Sequence, residues 1–196
     1  MFPAFRPTMA VIGLSIATVA TPSLAAVNNA EPGAFVDTLA DEGFSVLRTG
    51  NRKAARAQFR TLLSQHFAID SIGDRLIRRW TPKITPQQRA AYKAAFPNFI
   101  IGTYADRLFD YARADLKVTR VIPAGAGASV KTVVTNPGSA RPINADWTVT
   151  KAGNSYKVSN LIVGGVNLSL TQAADFDAVI QSKGFDALVA MMKSRS

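Results

Sequence analysis

The sequence predicts an α+β fold in which helices cover one face of an antiparallel four-stranded meander. Three observations predict it. From Pro32 to Arg113 apolar residues recur at three- and four-residue steps, the helical period; from Leu116 to Val163 they alternate, the strand period. Short turn segments rich in Gly, Pro and Asn separate the alternating runs, which favours neighbouring antiparallel strands. Beyond Gly164-Gly165 the helical period returns, so the order is helices, meander, helices.

The first residues are set apart from the domain. Arg6 precedes an uncharged apolar run of 12 residues, Met9 to Ala20, and a small-x-small pattern ends at Ala25. This reads as a signal peptide over residues 1–25 with cleavage after Ala25, because the run is too short to cross a bilayer as a helix. No cysteine follows it, so a lipoprotein-type anchor has no attachment point. Residues 26–196 then form a single domain, large enough for its own core.

Glu31-Pro32 opens a first helix that Gly50 stops, with Phe35, Val36, Leu39, Phe44, Val46 and Leu47 as its apolar residues. Asn51 is the expected N-cap of a second, Arg52 to Ala68. One side of it carries Ala55, Phe59, Leu62, Leu63, His66 and Phe67, and the other carries Arg52, Lys53, Arg56 and Arg60. Asp70-Ser71-Ile72-Gly73-Asp74 leads into a third helix that ends near Trp80. Thr81 to Pro86 then links to the longest element, which runs to Arg113. Its stripe is Tyr92, Phe96, Phe99, Ile100, Tyr104, Leu108 and Tyr111, wide and aromatic, and Pro97 is expected to kink or split it. Strands are expected at Leu116 to Ile122, Val130 to Thr135, Ile143 to Lys151 and Tyr156 to Val163. In the third, Ala145, Trp147 and Val149 share one face. Gly164-Gly165 is expected to end the sheet, with helices around Ala173 to Ser182 and Phe185 to Lys193.

Removing Arg6 with the leader leaves 22 basic against 13 acidic side chains, a net charge of +9. For an exported protein that balance favours an anionic membrane surface or an acidic protein over nucleic acid. Arg52, Arg56 and Arg60, at i, i+4 spacing, are the candidate docking residues. The chain has no cysteine and one histidine, which leaves no set of His and Cys ligands for a metal. A nucleophile triad would have to use His66 with Asp70, and no G-x-S-x-G element accompanies it, so His66 reads as structural. Gly164-Gly165-Val166-Asn167 lacks the Lys-Ser/Thr of a phosphate loop. No catalytic set and no cofactor are expected.

Spaced residues along the chain resemble the exported MlaC family, also called the toluene-tolerance auxiliary family. They run in the order Trp80, Thr85-Pro86-Gln87-Gln88-Arg89, Phe96 and Thr103-Tyr104-Ala105; later come Tyr156-Lys157-Val158 to Val163 and Gly165-Val166-Asn167-Leu168. Asp175-Phe176 and Lys183-Gly184-Phe185-Asp186-Ala187-Leu188 complete the pattern. Where the family usually has Trp, Asp, Glu and Ser, this chain has Tyr156, Asn160, Gly164 and Asn167; such departures suit a divergent branch, for example one linked to hopanoid lipids. The resemblance implies a periplasmic carrier, expected to be a monomer, that holds phospholipid acyl chains in an apolar cavity between sheet and helices. It would shuttle lipid between an outer-membrane lipoprotein/porin complex and an inner-membrane ABC transporter complex, with transient membrane contact. The expected lipid-facing residues are Trp80, Phe96, Phe99, Ile100, Tyr104 and Leu108 from the helices and Val133, Trp147, Val149, Leu161 and Val163 from the strands, followed by Val166 and Leu168. Two other classes compete: a cone-shaped α+β enzyme using a carboxylate in the cavity, and an adaptor whose core is filled.

Overall fold

The computed structural model describes residues 27–195, apart from the side chains of residues 105–107; the expected signal peptide lies outside the described residues. Four helices come first: α1 Pro32–Arg48, α2 Arg52–His66, α3 Ile69–Leu76 and α4 Pro86–Leu108. A sheet of β1 Asp115–Ala124, β2 Gly127–Thr135, β3 Ile143–Ala152, β4 Ser155–Val163 and β5 Val166–Asn167 follows, and α5 Leu168–Lys183 and α6 Phe185–Ser194 close the chain. The strands lie in sequence order and every neighbouring pair is antiparallel. Helices lie against one sheet face, while the other carries polar pairs such as Lys131 with Asp146.

Local chemistry sets the element ends. The Asn51 side chain accepts from the Ala54 N–H at 3.0 Å and starts α2. The helix stops at His66, short of the expected Ala68, because the next segment joins β4: Phe67 bridges to Val158, and the Ala68 N–H donates to the Val158 carbonyl at 2.9 Å. The third helix ends at Leu76, not near Trp80, and a 3₁₀ turn over Thr81–Lys83 accommodates Pro82. Thr85 and Gln88 exchange side-chain to backbone bonds of 3.0 and 3.1 Å, a capping box at the start of α4.

Two expectations change here. Pro97 does not split α4, which is one helix from Pro86 to Leu108. The proline removes one helical donor, but the turns beside it are held by rings: Tyr92 stacks on Phe96 at 5.6 Å and Phe99 meets Phe176 at 5.5 Å. Nor does Gly164-Gly165 end the sheet. With φ of 58° and 84°, the two glycines form a two-residue hairpin turn that pairs Val163 with Val166, adding a fifth strand. Asn167 then accepts from the Ser169 and Leu170 N–H groups, so α5 begins at Leu168 and not near Ala173.

The apolar interior has two parts. In the first, Phe35, Val36 and Leu39 of α1 and Leu62 of α2 pack on Val130, Val149 and Val158 of the sheet. In the second, Tyr92, Phe96 and Phe99 of α4 meet Leu76 of α3, Phe176 of α5 and Leu188 of α6, with no sheet residue among its buried members. Tyr92 is fully buried and donates to the Gly73 carbonyl at 2.9 Å; burial, and after it the nearby Asp74 carboxylate, pushes its pKa far above the usual phenol range.

His66 belongs to the first part, its ring 6.0 Å from Phe35. It forms no dyad with Asp70, whose exposed carboxylate lies 3.8 Å from Lys93. Burial, and then the Lys157 ammonium, holds the imidazole below its ordinary value of 6.5.

Two stability effects follow from this packing. Phe176 is fully buried between Tyr92 and Phe99. Phe176→Ala is expected to lower the unfolding free energy by about 3–5 kcal/mol in urea titrations. For His66, the unfolded chain takes up a proton near pH 6.5 that the folded state resists, so stability is present above that pH and declines as pH falls through it. His66→Gln should therefore lessen the drop in urea midpoint between about pH 7.5 and 5. An unchanged drop would place the pH sensitivity elsewhere.

Candidate functional site

The buried residues of the two regions form separate clusters, and a cavity of about 390 Å³ is lined by members of both. Its walls come from every layer: Leu39 and Phe44 of α1, Phe59 and Leu62 of α2, Ile72 of α3, and the inward residues of the sheet. The deep end holds Phe67, Leu76, Phe96 and Val158. The opposite end is formed by Leu108, Tyr111, Ile143, Val163, Leu168 and Ser169.

The long helix serves both regions because its stripe divides. The i, i+4 row Phe96, Ile100, Tyr104 and Leu108 lines the cavity. Tyr92 and Phe99, about a turn apart from members of that row, face α5 and α6 instead. On the sheet, Trp147 pairs with Leu161 and Ala145 with Val163, and all four line the cavity. The Trp147 indole N–H donates to Thr132 Oγ1 at 3.1 Å, and that hydroxyl donates to the Ala145 carbonyl at 3.0 Å. Its polar atom is thereby satisfied within the sheet.

Of the residues expected to face lipid, the cavity gathers Phe96, Ile100, Tyr104, Leu108, Trp147, Leu161, Val163 and Leu168. Five lie elsewhere. Trp80 turns to α5, where its indole N–H donates to Asp177. Phe99 is buried in the all-helical region. Val133 is on the outer sheet face, since its neighbour Val134 points inward opposite Ile143. Val149 points inward but is filled over by α1 and α2. Val166, in the added hairpin, is 51% exposed. Phe44, Phe59, Leu62 and Leu63 line the cavity as well, beyond the residues expected to face lipid. Their place on apolar helix sides was visible, but core and cavity wall look alike in a helical pattern.

Among the described residues, no Lys, Arg, His, Asp or Glu lines the cavity. The polar contributions come from Asn160, Ser169, Gln172 and two tyrosines. The Tyr104 hydroxyl donates to Gln172 Oε1 at 3.2 Å, tying α4 to α5, and Gln172 is otherwise buried. A wall of this kind can enclose apolar material and offer a few neutral hydrogen bonds. Among the described residues its side chains include no carboxylate or imidazole for proton transfer. Among the described residues no group of three or more His, Cys, Asp or Glu comes together to hold a metal.

The basic residues of α2 lie outside the cavity. Arg52, Arg56 and Arg60 are exposed, and the Arg52 guanidinium sits 4.6 Å from the centre of the Phe109 ring. No helix among the described residues is long and apolar enough to cross a membrane.

Comparison with known proteins agrees with this architecture. The fold is similar to that of a phospholipid-binding protein from Ralstonia solanacearum, solved in complex with a phospholipid, with a TM-score of 0.70 over 85% of this chain and 97% of that one at 24% identity. The toluene tolerance protein ttg2D of Pseudomonas putida is 29% identical over 113 residues, 55% of this chain; the match spans half the length of that relative. The family model for the MlaC protein matches residues 37–194, which takes in every residue named as lining the cavity, Leu39 to Gln172. The chain belongs to the MlaC family.

Proposed function

We propose that this protein is a non-enzymatic lipid carrier that holds acyl chains in the cavity between sheet and helices. The observation that carries the reading is the cavity itself, about 390 Å³ in volume, with no charged side chain among the described residues that line it. Protein interiors are close-packed, and an open cavity of this size leaves its apolar wall against water unless something apolar fills it. Hydrocarbon is the occupant such a wall suits, since each methylene removed from water contributes about 0.8 kcal/mol.

Family membership and the phospholipid held by the Ralstonia protein support the same reading. The finer picture is a periplasmic monomer without a cofactor, carrying phospholipid as cargo. It would move that cargo between an outer-membrane lipoprotein/porin complex and an inner-membrane ABC transporter complex. Arg52, Arg56 and Arg60 would assist docking. The enzyme alternative wants a carboxylate in the cavity wall, where none lies among the described residues, and the adaptor alternative wants a filled core.

Native mass spectrometry of the purified protein is expected to show a co-purified lipid, released by mild denaturation; a clean apo mass from membrane-containing cells would contradict the proposal. Filling the cavity gives a second check. Ile100 lines it and is only partly buried, so Ile100→Trp should keep a cooperative unfolding transition while cutting bound lipid at least severalfold. Tyr104→Asp would place a carboxylate against the acyl chain; circular dichroism should report a folded protein and mass spectrometry a lipid-free one. A folded Tyr104→Asp variant with its full lipid load would remove Tyr104 from the site.

A further inference from the structure

We infer that the protein docks the open end of its cavity directly on an anionic bilayer surface, through an apolar lip formed by Leu108, Val166 and Leu170. This rests on the carrier reading and adds where the lipid enters and what the carrier touches when it does.

Several contacts place the parts at one end. The sheet end where β1 begins and β2 ends also holds the start of β3 at Ile143 and the end of β4 at Val163. Ile143 and Val163 both line the cavity. The α4 terminus is at this end too, since Asn136, in the β2–β3 loop, donates to the Asp110 carbonyl at 2.9 Å. The N-terminus of α5 arrives beside it. Phe99 meets Phe176 and Tyr104 meets Gln172, and continuing that antiparallel stepping brings Leu108 level with Leu168 and Ser169. The cavity therefore runs out between the α4 terminus, the α5 start and the Val163–Val166 hairpin.

Five large apolar residues are exposed among those described, and their distribution is uneven. Val121 and Ile122 are at the far end, beside the β1–β2 turn. Leu108, Val166 and Leu170, at 37, 51 and 70% exposure, all edge the open end. Single exposed leucines are ordinary. Three around the mouth of an apolar cavity are a surface that water covers poorly.

Charge selects a bilayer as the occupant. Arg48 donates to the carbonyls of Ala112 and Ala114, and Arg52 lies on Phe109, so both reach the same end. Arg113 and Arg141 are exposed there as well, and among the described residues so are the carboxylates of Asp110 and Asp115. From Arg52 the stripe of Arg56 and Arg60 continues up the flank of α2, rising about 5.4 Å per turn. Apolar side chains at the tip with guanidinium groups behind them match a leaflet of anionic headgroups over hydrocarbon. A lipid leaving the leaflet would then pass from hydrocarbon to cavity without crossing bulk water.

Leu170 and Val166 do not line the cavity, so they can be changed without touching the cargo site. The test compares the full protein with the double variant Val166→Asp/Leu170→Asp. Binding is measured on vesicles of phosphatidylglycerol and phosphatidylcholine in equal parts and on vesicles of phosphatidylcholine alone. The wild type should bind the anionic vesicles and release with salt. The double variant should bind at least about tenfold more weakly, as expected when two apolar side chains lose their transfer out of water. Its co-purified lipid and thermal unfolding should be unchanged. Equal vesicle binding by variant and wild type would overturn the inference, and so would a wild type that ignores anionic vesicles, which would assign the lip to a protein partner. A wild type that binds vesicles but never carries lipid would instead defeat the carrier reading.

Discussion

The cavity depends on the helical region being packed to completion without help from the sheet. Phe176 is the centre of that region, meeting Tyr92 edge-on at 6.2 Å and Phe99 at 5.5 Å, while Phe185 closes on Tyr92 from α6. Because these rings satisfy one another, α4 need not settle on the strands. It presents its Phe96-to-Leu108 row to open space. On the other side, α1 and α2 fill over the sheet from Val130 to Val158, while Ala145, Trp147, Leu161 and Val163 of β3 and β4 face the cavity. Two cores, each closed on itself, hold the walls apart. A single shared core would collapse the gap, since apolar surfaces left facing water are driven together.

Polar bonding keeps the walls from drifting. Tyr104 ties α4 to α5 through Gln172, Trp147 is fixed to Thr132, and Arg75 of α3 donates to the Ser159 carbonyl in β4. The last of these acts at the β3–β4 irregularity between Thr148 and Val149, where Ser159 is left outside the pairing. That extra residue shifts the alternation of β4, so that Val158 and Leu161, three positions apart, both face inward. Val158 also belongs to the packed core, and beyond the bulge Leu161 and Val163 continue the cavity wall.

How much of this was legible depends on how far the deciding contacts reach. The row Phe96, Ile100, Tyr104 and Leu108 is a local period, and it was readable. So was the inward set Ala145 and Trp147, from alternation alone. The adjacent Val133 and Val134 were not separable by type; only the register opposite Asn144 and Ile143 decides which points inward. Phe59 and Leu62 read as core because nothing in their own helix says whether the opposite layer is filled. The Gly164-Gly165 pair reads as an ending or as a tight turn, and Asn167 capping α5 at once is what makes it a turn. The family resemblance was legible for a different reason: it rests on the order of spaced residues, which survives when single positions such as Tyr156 and Asn160 depart.

The chain has two tryptophans, and the fold separates them: Trp147 lines the cavity, whereas Trp80 faces α5. Loading the protein with phospholipid brominated along the acyl chains therefore tests the central claim through contact quenching. Emission should fall in the wild type and in Trp80→Phe, and should be unaffected by the label in a Trp147→Phe variant that carries the same amount of lipid. Quenching that persists in Trp147→Phe, or is absent from the loaded wild type, would contradict the placement of acyl chains in this cavity.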